Sequence, residues 1–157
     1  MAEDWLGRWQ KGNIGWHQES GNKHLRKWWD VSTDAKRVLV PLCGKTIDLL
    51  WLAKRGHAVT GVELSPVAAK AFFEENALKY VQETVGAFER YRAHDVDIEI
   101  VSGDYFSFAE EPFDAMFDRG ALVAVPPELR PDYAAHTRRL LAPGAFQLLI
   151  TLAYEQA

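Results

Sequence analysis

The sequence predicts an α/β fold in one domain: a mostly parallel sheet with helices on both faces. Three observations carry this expectation. Residues 37–40 place Val38, Leu39 and Val40 in succession, as a strand buried on both faces of a parallel sheet requires. A Gly-bearing turn and an amphipathic stretch follow, and a second apolar run, 58–62, then ends on an acid, Glu63. That order of parts brings backbone N–H groups and a carboxylate to one rim, which is how open α/β sheets hold an adenosine ligand.

Each element has its own signals. Pro41 ends the first strand, and a helix is expected over about 46–55, with Leu49, Leu50, Leu52 and Ala53 on one broad face, Lys54 and Arg55 in the last turn and Gly56 beyond. After Glu63, Ser65 is placed as an N-cap and Pro66 as a first helical residue. Val67, Ala68, Ala71, Phe72 and Phe73 give that helix its apolar side, and a further, less regular helix is expected around 80–88. Residues 97–101 alternate as a third strand, 113–117 form a fourth, and 145–152 a fifth. Pro126 and Pro127 mark the start of a helix over about 128–141.

Composition narrows the functional classes. With 157 residues, 48% hydrophobic and 25% charged, the chain suits one core rather than two. A net charge of −4 with scattered Lys and Arg gives no basic footprint for a phosphate backbone, so nucleic acid is not an expected partner. One Cys, no apolar stretch near the ~20 residues of a membrane span, and no secretory h-region lead us to expect a cytoplasmic protein without a membrane partner.

Nucleotide-binding alternatives can be weighed at the first turn. Gly44-Lys45-Thr46 follows a strand as a P-loop would, but the leading position, five residues earlier, is Leu39. A dinucleotide fold wants three glycines, and Gly44 stands alone. S-adenosylmethionine carries no phosphate, so its site dispenses with the glycine set and keeps an acid for the ribose diol. The bland alternative is a turn glycine and a solvated carboxylate; their joint placement favours the ligand.

Several motifs, taken in order, carry a resemblance. Trp5-x-x-x-Trp9 with Gly12 and Gly15-Trp16-His17-Gln18, then Val40-Pro41-Leu42-Cys43-Gly44-Lys45, Gly61-Val62-Glu63-Leu64-Ser65, and Phe113-Asp114-x-x-x-Asp118-Arg119-Gly120-Ala121-Leu122 resemble the thiopurine S-methyltransferase family. The resemblance implies a Rossmann-like class I S-adenosylmethionine-dependent methyltransferase, with S-adenosylhomocysteine as product and a thiopurine, aromatic thiol or small sulfur, selenium or tellurium compound as acceptor. It implies cofactor contacts from Trp5, Trp9, Leu42, Gly44, Glu63, Asp104, Tyr105 and Arg119, with Trp16 and Arg119 facing the acceptor. A halide or thiocyanate methyltransferase is the nearest enzymatic alternative, and a cofactor-binding module without turnover the alternative from another class. No metal is expected.

The remaining residues fit that frame. Trp5 and Trp9, four apart, share a helix face; Gly12, Gly15 and Gly21 mark loop, and a second helix is expected over about 23–29. Residues 1–33 thus read as a helical lid and 34–157 as the core. Asp104 is either an adenine ligand or the cap of a turn. Arg119, whose fork bonds two acceptor atoms, suits an anionic acceptor, with an ion pair to Asp114 or Asp118 as its alternative. Neither His17 nor Cys43 has a partner in the sequence that makes it a catalytic base or nucleophile. Family members continue beyond position 157 through a final antiparallel hairpin that supplies part of the acceptor pocket, including a further Arg. The chain therefore reads as truncated, with its fifth strand an open edge prone to self-association where the longer relatives are monomers.

Overall fold

A computed structural model describes residues 21–31 and 36–150. The expected positions Trp5, Trp9, Trp16 and His17, the first lid helix and the last two residues of the fifth strand lie outside them. Element order is α1 (Lys23–Trp28), β1 (Arg37–Pro41), α2 (Asp48–Lys54), β2 (Ala58–Glu63), α3 (Pro66–Glu75), β3 (Tyr80–Val85), β4 (Phe88–Ala93), β5 (Ile98–Ser102), β6 (Phe113–Arg119), α4 (Ala121–Ala124), α5 (Arg130–Leu140) and β7 (Leu141–Ile150). Short 3₁₀ turns, Tyr105–Ser107 and Pro127–Leu129, precede β6 and α5.

The seven strands form one sheet in the order β3-β4-β5-β2-β1-β6-β7. Pairs β5·β2, β2·β1, β1·β6 and β6·β7 are parallel, and β3·β4 and β4·β5 are antiparallel. Strand alternation sends side chains into two cores. On one face Val38, Val40, Ile98, Ile100, Ala115 and Phe117 pack against Leu25 of α1, Leu49 and Leu52 of α2 and Phe72 and Phe73 of α3. On the other, Leu39, Val62, Val101 and Met116 meet Tyr105, Ala121, Tyr133 and Leu140. Helices thus cover both faces, as a parallel sheet requires.

The caps of α3 are those expected: Ser65 Oγ accepts from the Ala68 N–H at 3.3 Å and Pro66 opens the helix. Helix α2 begins later than its pattern suggests, at Asp48, after a turn in which the Thr46 hydroxyl accepts from the Asp48 N–H at 3.2 Å. In the last quarter, α5 starts at Arg130 with Pro131 in its first turn, and β7 starts earlier than expected, at Leu141, with a register shift between its pairings to Phe113 and Ala115.

The helix expected around 80–88 is instead the β3–β4 hairpin. Val85 pairs with Phe88 across the two-residue loop, and Gly86 takes φ +61°, the first-position geometry that a tight hairpin loop gives to glycine. The pattern misleads because the apolar Val81 and Val85 point outward, while Tyr80 turns inward to stack on Phe73 at 4.8 Å. Tyr91 completes the aromatic group, 6.4 Å from Phe73.

Candidate functional site

The chain leaves the sheet's centre in opposite directions, β1 to β2 and β5 on one side and β6 and β7 on the other. Open α/β sheets bind ligands at the carboxyl ends of the strands where this switch occurs. Four strand ends meet on that rim: the turn after β1, Glu63 at the end of β2, Gly103–Asp104 after β5, and Asp118–Arg119 at the end of β6.

The first turn is bent tightly. Leu42 adopts φ +48° and Gly44 φ +59°. A left-handed leucine costs roughly 1–2 kcal/mol and persists only where surrounding contacts hold it. The Cys43 N–H supplies one, donating to Val62 O at 3.1 Å, and the Lys45 ammonium supplies another through Glu75 in the last turn of α3 at 2.7 Å. Cys43 itself is buried in the core, and burial, followed by the Glu63 charge, pushes its thiol well above the ordinary range. Both effects disfavour the thiolate, so nothing in its surroundings activates Cys43 as a nucleophile.

Glu63 bridges two strand ends. Its Oε1 accepts from the Gly44 N–H at 3.0 Å and its Oε2 from the Ser65 N–H at 2.7 Å, with the side chain only 5% exposed. Burial raises its pKa, and the N–H groups of Ser65, Gly44 and Leu64 act against that. A carboxylate has about four lone-pair sites, so capacity remains on Glu63 for the hydroxyls of a vicinal diol. These residues fit a ribose.

Asp104 and Tyr105 are placed differently from one another. Asp104 caps the 3₁₀ turn, Oδ1 accepting from the Phe106 N–H at 3.0 Å and Oδ2 from the Ser107 hydroxyl at 3.3 Å, and it stays exposed. Tyr105 turns its ring into the second core, its hydroxyl 2.7 Å from Thr137 Oγ1 and its ring 5.4 Å from that of Tyr133. Burial pushes its phenol pKa up.

At the end of β6, Asp118 is buried and engaged: Oδ1 accepts from the Ala121 N–H at 2.8 Å and Oδ2 from the Tyr133 hydroxyl at 2.6 Å. Burial raises its pKa, opposed by those bonds. Asp114, at the far end of the strand, accepts from the Arg37 N–H at 2.9 Å. Arg119 is half-buried; burial lowers its pKa, and the attraction of Asp48 raises it. Asp48 is a residue that sequence reasoning missed. Its carboxylate, 1% exposed at the start of α2, accepts from the Asn22 N–H at 2.9 Å and the Thr46 hydroxyl at 3.0 Å. Asn22 in turn caps α1, accepting from the His24 and Leu25 N–H groups. Asp48 therefore joins the β1–α2 turn to the approach of α1 and lends its field to Arg119.

Among the described residues no group of three or more His, Cys, Asp or Glu side chains is disposed to hold a metal ion, and no helix is long and apolar enough to cross a membrane.

Comparison with known proteins gives the fold and the family. Two solved structures share the fold: a DhpI–SAM–HEP complex, with a TM-score of 0.63 at 17% identity over 90% of this chain and 60% of that one, and the glycopeptide N-methyltransferase MtfA complexed with (S)-adenosyl-L-methionine, with 0.59 at 22% over 80% and 48%. A thiopurine S-methyltransferase of Pseudomonas fluorescens (strain Pf0-1) is 44% identical over 100% of this chain and 73% of its own length. Another, from Vibrio atlanticus (strain LGP32), is 41% identical over 99% and 72%. The family profile described as Thiopurine S-methyltransferase (TPMT) matches residues 1–157. With that match spanning the sequence and relatives at 44% and 41% identity, the chain belongs to the thiopurine S-methyltransferase family.

Proposed function

We propose that this chain transfers a methyl group from S-adenosylmethionine to a thiol, selenol or related soft acceptor, with Arg119 holding the acceptor. As a family member the chain is an S-adenosylmethionine-dependent methyltransferase. The observation that supports the finer reading is the placing of Glu63 and Arg119 at strand ends on one rim, a buried acid held by backbone N–H groups and a half-buried cation two strands away.

Glu63 would receive the ribose hydroxyls, and the backbone of Leu42 and Gly44 would line the cofactor's approach. The lid expected over residues 1–33, with Trp5 and Trp9, would close over it, and Trp16 would face the acceptor. An indole face beside a sulfonium cation contributes about 0.5–2 kcal/mol, according to how dry the site is. When bound, S-adenosylmethionine supplies a methyl group open to in-line attack by a soft nucleophile. Arg119 favours the anionic form of the acceptor by its charge and orients it by its fork. No general base is then required, and the protein contributes chiefly positioning and exclusion of water.

Methyl transfer to an aromatic thiol, a selenol and iodide, measured alongside cofactor binding, tests this. Transfer to the thiol and selenol in preference to iodide is expected. A preference for iodide would shift the reading to a halide methyltransferase, and cofactor binding without transfer to any acceptor would make the chain a binding module.

A further inference from the structure

Sequence position alone does not explain how Arg119 is held. It sits at the end of β6, and the chain after it turns through Gly120 at φ +82°, a left-handed conformation suited to glycine, into α4, a helix of only four residues. A single turn of helix does not sustain itself, since nucleation is unfavourable. Helix α5 supplies what α4 lacks. The Tyr133 hydroxyl donates to Asp118 Oδ2 at 2.6 Å, while Asp118 Oδ1 accepts from the N–H groups of Ala121 at 2.8 Å and Leu122 at 3.4 Å, so that the start of α4 is capped by a carboxylate steadied from behind. At the other end Arg130 Nε donates to Leu122 O and Val125 O, and its terminal nitrogen to Val123 O, all at 3.1 Å. Arg130 and Tyr133 are three apart on α5 and so lie on one helix face.

We propose that Tyr133 is a positioning residue for Arg119, acting through Asp118, with Arg130 fixing the opposite end of the same turn. The proposal rests on the reading of Arg119 as the acceptor-holding residue. Arg119 lies between Asp118, whose side chain is held from two sides, and Gly120, whose N–H donates to Ile150 O at 3.2 Å. Its backbone is therefore flanked by two held neighbours. In Tyr133→Phe the phenol bond is gone, the buried carboxylate loses one of its partners, and the turn gains freedom while the Glu63 side of the rim is untouched.

The test uses the full chain as Tyr133→Phe, Arg119→Lys and the double variant. For Tyr133→Phe, kcat/KM for an aromatic thiol is expected to fall about tenfold, since small misplacement of a positioning group is costly. Its S-adenosylmethionine Kd by calorimetry should stay within about threefold. In the Arg119→Lys background the same change should cost less than about threefold, because the two residues act as one unit. Without any cofactor, the Arg119 Nε–Hε signal in nitrogen-15 NMR, assigned by its absence in Arg119→Lys, should move in Tyr133→Phe. Equal costs in both backgrounds, or an Arg119 signal that does not move, would overturn the proposal. Unchanged acceptor kinetics in Arg119→Lys alone would instead remove the reading beneath it. Arg130→Lys, which loosens the other end of the turn, provides the same comparison in smaller measure if Tyr133→Phe does not fold.

Discussion

Glu63 accepts from the Gly44 N–H on one oxygen and from the Ser65 N–H on the other, and the Leu64 N–H adds to the stabilisation of its charge. Charge-assisted bonds to a ribose are worth about 1.5–3 kcal/mol together. Glu63→Ala should therefore weaken S-adenosylmethionine by about 10- to 100-fold. Isothermal calorimetry checks this, and equal affinity with an intact fold would take Glu63 out of the site. Because burial raises the Glu63 pKa and hydroxyl donors favour its ionised form, affinity should decline as pH falls through a value above its ordinary 4.5. For stability the sign is opposite. A raised carboxylate pKa favours the folded state below the unfolded value and loses that contribution as pH rises through the folded one. At this scale the places of Gly44, Glu63 and Arg119 at strand ends were legible in the sequence, because apolar runs mark the strands that carry them. Asp48 and Tyr133 were not, since their roles depend on Asn22, 26 positions away, and on Asp118, 15 positions away.

Between elements, Trp29 at the end of α1 ties three parts together. Its indole N–H donates to His57 Nε2 at 3.1 Å, just before β2, and its ring meets Phe146 of β7 edge-on at 5.3 Å. His57 accepts only when that nitrogen is unprotonated. Burial, followed by the Arg55 charge, holds its pKa below the ordinary 6.5. A lowered histidine pKa gives stability that is present above 6.5 and lost as pH falls through the folded-state value. Urea unfolding of the parent should thus show stability dropping below pH 6.5, and His57→Gln, which can still accept but does not titrate, should flatten that drop. Identical slopes in both proteins would show that the link carries no proton. The elements around this link were legible from caps and apolar runs. The β3–β4 hairpin was not, because an edge hairpin can turn its valines outward and its tyrosines in, which inverts the pattern from which burial is read.

Across the whole molecule, function depends on strands far apart in sequence ending on one edge of a parallel sheet. That registry is set by β1, paired with β2 on one side and β6 on the other, so that the strands ending in Glu63 and Arg119 finish on the same edge of the sheet. The fold class followed from the buried run of β1 and the acid ending β2, since few arrangements other than a covered parallel sheet satisfy both. The chain spans 73% of the length of the Pseudomonas fluorescens relative it matches. The most direct measurement is transfer of a labelled methyl group from saturating S-adenosylmethionine to an aromatic thiol by the parent and by Arg119→Lys. Lysine keeps the charge and loses the two-pronged fork. Turnover should fall at least about tenfold while cofactor affinity changes less, as expected for a group that acts on the acceptor. Unchanged turnover at saturation, with cofactor affinity collapsing instead, would contradict the assignment and leave Arg119 a ligand of the cofactor alone.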